Sequence, residues 1–453
     1  MEFKMGILNM VNRGDHTSFV PYINTGTLFD MATGRFKFGV NNAQILDGGI
    51  SSCMGISGRA QTYKSGLAGS LVANAMLVHP EAEALIFDSE NTIAGPERYS
   101  EFTPIDKPIH DRIAFFNSTT TNLTDFYDQI KAVSEEKLNH KKDYMVESPF
   151  LDTNGKPFKT WIPTFVLIDS FSRARSNKGD DQFDKNSVDD SAMNTFYLYD
   201  GGVKSRIMND LPTRAAKAGI YVILTAHVGD KMDLDPYAQT PKQLQFMKNN
   251  DRMKNVGSNF EFLTTALLQT NKATVLQDSN KHCLYPTTDS TDGEVNQVDT
   301  TLVRCKNNSA GAQISYILSQ NQGILKDVTN FQLLRNCKNF GMNVKGNNQS
   351  FSPLLLPDAN LTRNNLRDTL DTNYRVARAI ELTTQLCFIQ QFWSTYRMPE
   401  YVHTPIEKFA ELLTHNEKMS VDRVLESTSV WSTSKQERER LSIMDILAFL
   451  NKK

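Results

Sequence analysis

Short apolar runs, the first interrupted only by Glu83, alternate with amphipathic stretches along most of this chain. Ala82 to Phe87, Thr164 to Ile168 and Ile220 to Thr225 are runs of strand length closed by polar residues, the pattern of strands buried on both faces. Each ends in side chains able to do chemistry: Asp88, Ser89 and Glu90 after the first, Asp169 after the second, His227 after the third. Between them the spacing predicts helices. Leu123, Phe126, Tyr127, Ile130 and Val133 repeat at i, i+3, i+4, i+7, Ser65 to Val78 is rich in Ala and Leu, and Gly201 to Ala218 has helical character. Strand and helix in alternation predict an α/β fold whose mostly parallel twisted sheet is flanked by helices, because parallel neighbours need crossovers.

Other elements are shorter. Leu28, Met31 and Ala32 predict a short helix between Gly26 and Gly34, and Asn154-Gly155 a hairpin inside Glu147 to Thr160. Glu261 to Gln269, Asp299 to Lys306 and Ala312 to Ser319 are expected as further strands. The expected layout is an N-terminal arm over residues 1–22, a core over 23–344, an Asn-, Ser- and Pro-rich linker over 345–362 and a helical C-terminal region over 363–453. Within the last region Arg375 to Trp393 is the strongest helix and Leu441 to Leu450 the closing one. Two polar stretches, Ser172 to Asp200 and Gly229 to Ser258, exceed the usual connection length and are expected to be functional or mobile.

Charge narrows the partners. With 49 basic against 51 acidic residues among 453, the net of -2 excludes a bulk polycation, so any contact with nucleic acid must come from local patches. The five cysteines are scattered without a C-x-x-C pair, which fits reduced thiols in a cytoplasm. No apolar stretch approaches the roughly 18 residues of a membrane span, and the start is too polar for a secretion signal, so no membrane partner is expected.

The chemistry centres on Gly58, Arg59, Ala60, Gln61, Thr62, Tyr63, Lys64 and Ser65, which follow the small run Cys53 to Ser57. They match the phosphate-binding pattern G-x-x-x-x-G-K-[ST] except that Tyr63 replaces the second glycine. ATP and Mg2+ are the expected ligands. Lys64 would take the β and γ phosphates, Ser65 and Asp169 the magnesium side, Glu90 the attacking water, and His227 the γ-phosphate. Taken singly, each has a plainer reading: Asp169 could cap a following helix, Asp88 or Glu90 could be solvated, and His227 could be an ordinary histidine.

The two long stretches differ as surfaces for a polyanion. In the first, Arg173, Arg175, Lys178 and Lys185 meet Asp180, Asp181, Asp184, Asp189 and Asp190, so attraction and repulsion nearly offset, and a solvated linker is at least as good a reading. In the second, Phe246, Met247, Lys248, Arg252, Met253 and Lys254 interleave cations with groups able to wedge or stack against bases. The alternative there is an amphipathic helix packed on its own domain.

From about Ile23 to Val344 these residues resemble the RecA-type recombinases, most closely their phage branch, the UvsX-like proteins. INTGTLFDMATG at 23–34 is similar to that family's segment ahead of the phosphate loop, and phage members also carry an aromatic before the lysine, as Tyr63 does here. FDSEN at 87–91 resembles the strand with the catalytic glutamate, FVLIDS at 165–170 the Walker B strand, and TAH at 225–227 the γ-phosphate contact. LVRCKNN at 302–308 resembles the segment that reaches ATP across a subunit interface, with Lys306 at the first of its two basic positions and Asn308 at the second. Pro96 and Tyr99 fall where the family stacks a residue on adenine, and the two long stretches fall where it has its DNA-binding loops.

The resemblance implies a RecA-like core, a magnesium-dependent, DNA-dependent ATPase activity, single-stranded DNA as partner, self-association into a helical filament, homologous pairing, and, for a phage protein, the bacterial host cytoplasm. Two rivals remain at this point: a replicative helicase assembling as a hexameric ring, and a nucleotide-binding assembly or mediator protein with little hydrolysis. The region from Arg363 onward lies outside the resemblance.

Overall fold

The computed structural model describes residues 20–93, 95–119, 122–152, 155–177, 179, 193–230, 243–257, 259–288, 294–347, 349–393 and 398–452. Most of the expected arm, residues 178 and 180–192 of the first stretch, with Lys178, Lys185, Asp180, Asp181, Asp184, Asp189 and Asp190 among them, and residues 231–242 and 258 of the second stretch lie outside the described residues.

One ten-stranded sheet organises the chain. Its strands are β1 (Cys53–Gly58), β2 (Glu83–Asp88), β3 (Ile113–Asn117), β4 (Thr164–Asp169), β5 (Ile220–Asp230), β6 (Asp251–Met253), β7 (Ala266–Val275), β8 (Val295–Cys305), β9 (Gln313–Ser319) and β10 (Gly323–Ile324). Six run parallel in the order β3-β2-β4-β5-β1-β7. Beyond β7 the sheet continues antiparallel through β8, β9 and β10, and β6 pairs antiparallel with the far end of β5.

The apolar runs are explained by burial on both faces. Alternate residues of β4 point opposite ways: Phe165 and Leu167 join a core with Leu67 and Leu71, while Val166 and Ile168 join one with Phe126, Ile207 and Leu211. The first core belongs to α1 (Lys64–Val78), the second to α2 (Leu123–Asn139) and α3 (Met193–Ala218). Asn122 and Asp125 form a capping box that starts α2: Asn122 Oδ1 accepts from the N–H groups of Thr124 and Asp125, and the Asp125 carboxylate accepts from that of Asn122. Among the described residues no helix is long and apolar enough to cross a membrane.

Two expectations change. Residues 345–362 are not a plain linker: Ser350–Pro353 pairs antiparallel with Met342–Lys345 and with Leu361–Thr362. Phe351 and Leu361 are buried in one cluster with Val295 and Ile317 of the sheet, which outweighs the polar composition between them. The expected strand from Glu261 begins instead with a helical turn, Phe260–Leu263, before β7.

The C-terminal region is helical in part, with α4 (Lys326–Asn336) ahead of it, then α5 (Tyr374–Phe392), α6 (Ile406–Thr414) and α7 (Ile443–Leu450). It packs into the same core as α1. Trp431 is fully buried against His79 and Phe150, each with ring centroids 5.3 Å away, and its backbone N–H donates to Asn24 Oδ1 at 3.1 Å.

Candidate functional site

Register brings the strand ends together. Gly58 is the Cα partner of His227 across β1 and β5, and Asp88 that of Asp169 across β2 and β4, so the carboxyl ends of four adjacent strands form one rim. Ligands of open α/β sheets collect at such a rim.

The loop after β1 is held tightly. A Cβ on Gly58 would fall 1.9 Å from Thr270 Oγ1 and 2.7 Å from Thr62 Oγ1, so only glycine fits. Those hydroxyls lie 2.6 Å apart, and Thr62 also donates to the Arg59 carbonyl at 2.8 Å. Gln61 and Tyr63 both adopt left-handed backbone, with φ of 58° and 59°. Tyr63 therefore takes the conformation usually given to glycine at this position, at a cost of roughly 1 to 2 kcal/mol. α1 begins at the next residue, so its unpaired N–H groups face the loop, an arrangement suited to an anion. Lys64 is buried, and its Nζ donates to the Arg59 carbonyl at 3.0 Å. Burial pushes its pKa down, and the nearby Asp169 and Glu90 carboxylates oppose that.

Asp169 is buried behind the loop. Burial raises its pKa, while the Ser65 hydroxyl, within hydrogen-bonding range, and the Thr225 hydroxyl, donating to Oδ1 at 2.5 Å, pull it back. Glu90 Oε1 lies 2.6 Å from His227 Nε2 and accepts from Ser170 Oγ at 2.9 Å, and Arg173 Nε stands 3.7 Å away. The bond to His227 is the main cause that holds the Glu90 carboxyl down at about 2. Asp88 does something else: its oxygens accept from the N–H groups of Glu90, Thr92 and Ile93, shaping the turn that presents Glu90.

Compared with protein-family models and with curated proteins, the sequence matches none of them.

The structure thus brings Gly58, Tyr63, Lys64, Ser65, Glu90, Asp169 and His227 to one rim. Arg59 and Ala60 are exposed on the loop, and Arg59 is engaged with two carboxylates, Asp230 and Asp251. Tyr99, expected to touch adenine, is instead a core side chain: it is 2 % exposed, packed on Gly69 and edge-on to Phe102, so neither face is open to a base. Pro96 is half-buried at the start of the same short helix.

Lys306 lies at the other end of the sheet. Its neighbour Cys305 is paired with Ala266 and Ala266 with Met54, near the start of β1, so about 13 Å of strand separate it from the loop. Within one chain it does not join Lys64. Asn308 is buried, and its Nδ2 donates to the carbonyls of Ala32 at 3.1 Å and Gly34 at 2.9 Å, closing the end of the short helix Leu28–Thr33.

Of the second stretch, Met247 and Met253 are buried, so they do not wedge between bases, and Arg252 and Met253 belong to β6 rather than to an open loop. Phe246, Lys248 and Lys254 are exposed and Arg252 is half-buried. Phe246 and Lys248 border an open groove of about 680 Å³ that also reaches Phe392 of α5. Beside Glu90 a cavity of about 510 Å³ is lined by Phe116, Phe126, Ser172, Arg173, Lys204 and Asn255.

Sequence reasoning gave no role to Thr225, Ser170 or Thr270. Thr225 had a signal, since it lies two residues before His227 on the same strand. Thr270 had none, because its contact with Thr62 spans 208 residues.

Proposed function

We propose that this chain is a RecA-type, magnesium-dependent ATPase that binds single-stranded DNA, assembles on it as a helical filament and promotes homologous pairing. One observation carries the reading: Lys64, Ser65, Asp169, Glu90 and His227, spread over 164 residues, meet at the carboxyl ends of β1, β2, β4 and β5 around a helix N-terminus. The resemblance of the same segments to the phage recombinases supports it from the sequence.

In this reading Lys64 exchanges the Arg59 carbonyl for the β and γ phosphates, while the first N–H groups of α1 close on the phosphates. Ser65 is exposed and Asp169 stands behind it, so the site offers two hard oxygen donors, a set that suits Mg2+, which keeps several waters and binds chiefly to phosphates. When bound, that ion neutralises charge developing between the β and γ phosphates. Glu90, held ionised, orients the water and accepts its proton. His227 joins Glu90 to the γ-phosphate side, so loss of that phosphate alters the end of β5 and the segment that follows. Lys306, remote from its own loop, would reach a phosphate bound by a neighbouring copy.

Lys64→Ala should abolish strand-stimulated phosphate release, and unchanged release would remove the assignment. Electron microscopy with ATP and single-stranded DNA should show helical filaments, whereas closed rings would point to a helicase. A second reading, an assembly factor that holds nucleotide with little turnover, is favoured by Asn308, which serves as a helix clamp where a second cation was expected. Tight nucleotide binding by the wild type without measurable turnover would select it.

A further inference from the structure

The phosphate loop is tied to the strand pair β5–β6 through one side chain. Arg59 Nη2 lies 2.6 Å from Asp230 Oδ1 and 2.8 Å from Asp251 Oδ1, and Nη1 lies 3.2 Å from Asp230 Oδ2. Asp230 ends β5, Asp251 begins β6, and the two are register partners. Their surroundings differ. Asp251 is buried, and its second oxygen accepts from Gln269 Nε2 of β7 at 2.6 Å, which fixes the carboxylate to the sheet. Asp230 stands at the rim with its side chain 67 % exposed.

The same strand pair carries the cations assigned to the strand. Arg252 is in β6, and Lys254 follows it with its side chain over Gly229, where a Cβ would fall 2.0 Å from Lys254 Cε. Lys254 also lies close enough to Asp230 to help hold that carboxyl below its usual range, after the larger effects of Arg59. A guanidinium of the phosphate loop and an ammonium of the proposed DNA surface therefore act on one carboxylate.

We infer that Arg59, Asp230 and Asp251 form a latch through which occupancy of the phosphate loop controls the grip of the β5–β6 pair on a single strand. The inference rests on the function proposed above. With the loop free, Arg59 pins the end of β5 and the start of β6 against it. A triphosphate brings several competing acceptors to the same loop, draws the guanidinium toward them and repels the Asp230 carboxylate. The exposed arm to Asp230 is the one that yields, because such pairs are weak in water and easily exchanged. The arm to buried Asp251 stays as the pivot. With the Asp230 arm open, the end of β5 can turn about that remaining contact and settle Lys254 on a strand phosphate. Since linkage is reciprocal, a bound strand must tighten nucleotide by the same factor.

The test measures the affinity of the full chain for a fluorescent oligothymidylate with and without a non-hydrolysable imido analogue of ATP, and takes the ratio. A ratio cancels the general gain in attraction that comes from removing one negative charge. The wild type should bind the oligonucleotide more tightly with the analogue. In Asp230→Asn the ratio should fall to within about twofold of one, through tighter binding without nucleotide, and Asp230→Glu should restore the wild-type ratio. An unchanged ratio in Asp230→Asn, or a wild type indifferent to the analogue, overturns the latch. Lys64→Ala in the same assay separates the two levels. If it still holds the analogue as the wild type does, the nucleotide site itself is wrong and the latch falls with it; if it loses the analogue while Asp230→Asn keeps the wild-type ratio, the latch alone falls.

Discussion

His227 Nε2 lies 2.6 Å from Glu90 Oε1, joining the ends of β5 and β2 across the intervening strand β4. A carboxylate only accepts, so Nε2 must carry a proton, and the ring presents its donor to Glu90. Ser170 donates to the same oxygen from the end of β4. One carboxylate thereby joins three neighbouring strands, and any change at Glu90 is felt at His227 within β5.

That lock has a pH signature. The Glu90 carboxyl sits at about 2 against an ordinary 4.5, a depressed value, so its contribution to stability is fully present above pH 4.5 and is lost as the pH falls toward 2. A shift of this size converts to roughly 3 kcal/mol, but the group is partly in solvent and screened, so about 1 kcal/mol is expected. Urea midpoints taken at descending pH through that window should fall more steeply for the wild type than for Glu90→Gln. Parallel slopes would show that the carboxylate is not held ionised by His227.

Tyr63 allows the loop's backbone to be separated from its chemistry. The left-handed backbone there is free for glycine, strained for tyrosine, and worst for a β-branched residue. Tyr63→Gly should keep nucleotide binding and change stability by no more than about 1 kcal/mol, since relief of strain offsets loss of a half-buried ring. Tyr63→Val should lose about 1 to 2 kcal/mol beyond that and weaken nucleotide binding severalfold, because α1 starts at the next residue. Thermal midpoints and nucleotide titrations of both variants decide, and equal behaviour would mean that φ at this position is not what matters.

Much of this site could be read before any coordinates, and the reason is physical. Strands buried on both faces leave unbroken apolar runs, and their polar terminators mark where a rim must form, so Asp169, Glu90 and His227 stood out. What could not be read depends on partners far along the chain. Asn308 looks like a missing cation until its Nδ2 is seen on carbonyls 276 and 274 residues away. Tyr99 looks like a stacking residue until Gly69 is seen to make room for its ring. β6 is three residues long with charged residues at two of them, too short to show any period, so the sequence around Arg252 carries no strand signal.

The exposed cations of the second stretch give a salt-dependence prediction. Lys248 and Lys254 are exposed and Arg252 is half-buried at the edge of β6. If all three contact phosphates, neutralising them together should flatten the dependence of log affinity on log salt by about 2 units, at roughly 0.7 per contact on a single strand. Lys248 and Lys254 alone should account for most of it, since Arg252 also donates to the Asp251 carbonyl at 2.9 Å. An unchanged slope in the triple variant would place the strand elsewhere, with the cavity beside Glu90, which Arg173, Arg175 and Lys204 help to line, next to be tested.

The C-terminal region makes a prediction that composition alone would not. Arg378 of α5 is 1 % exposed, yet it is one of the most connected side chains described: Nη1 donates to Glu381 at 2.9 Å and to Ser429 Oγ, and Nη2 donates to Ser427 Oγ at 3.1 Å and to the Leu441 carbonyl at 2.6 Å. It holds the segment leading to α7 against α5, at Ser427 and Ser429 just before the buried Trp431 that packs beneath α1 through His79, and again at Leu441 beside the start of α7. Arg378→Met preserves length and removes the donors, leaving a buried carbonyl and two hydroxyls short of partners, at a cost of about 2 to 4 kcal/mol. If the region were an appendage, that loss would appear as a separate transition and nucleotide binding would not notice. Because Trp431 and α1 share a core, the variant should instead unfold in one transition at a lower temperature, with nucleotide protecting both halves together. Calorimetry with and without ATP separates the cases: two transitions, with only one moved by nucleotide, would mean that the last ninety or so residues are independent of the site.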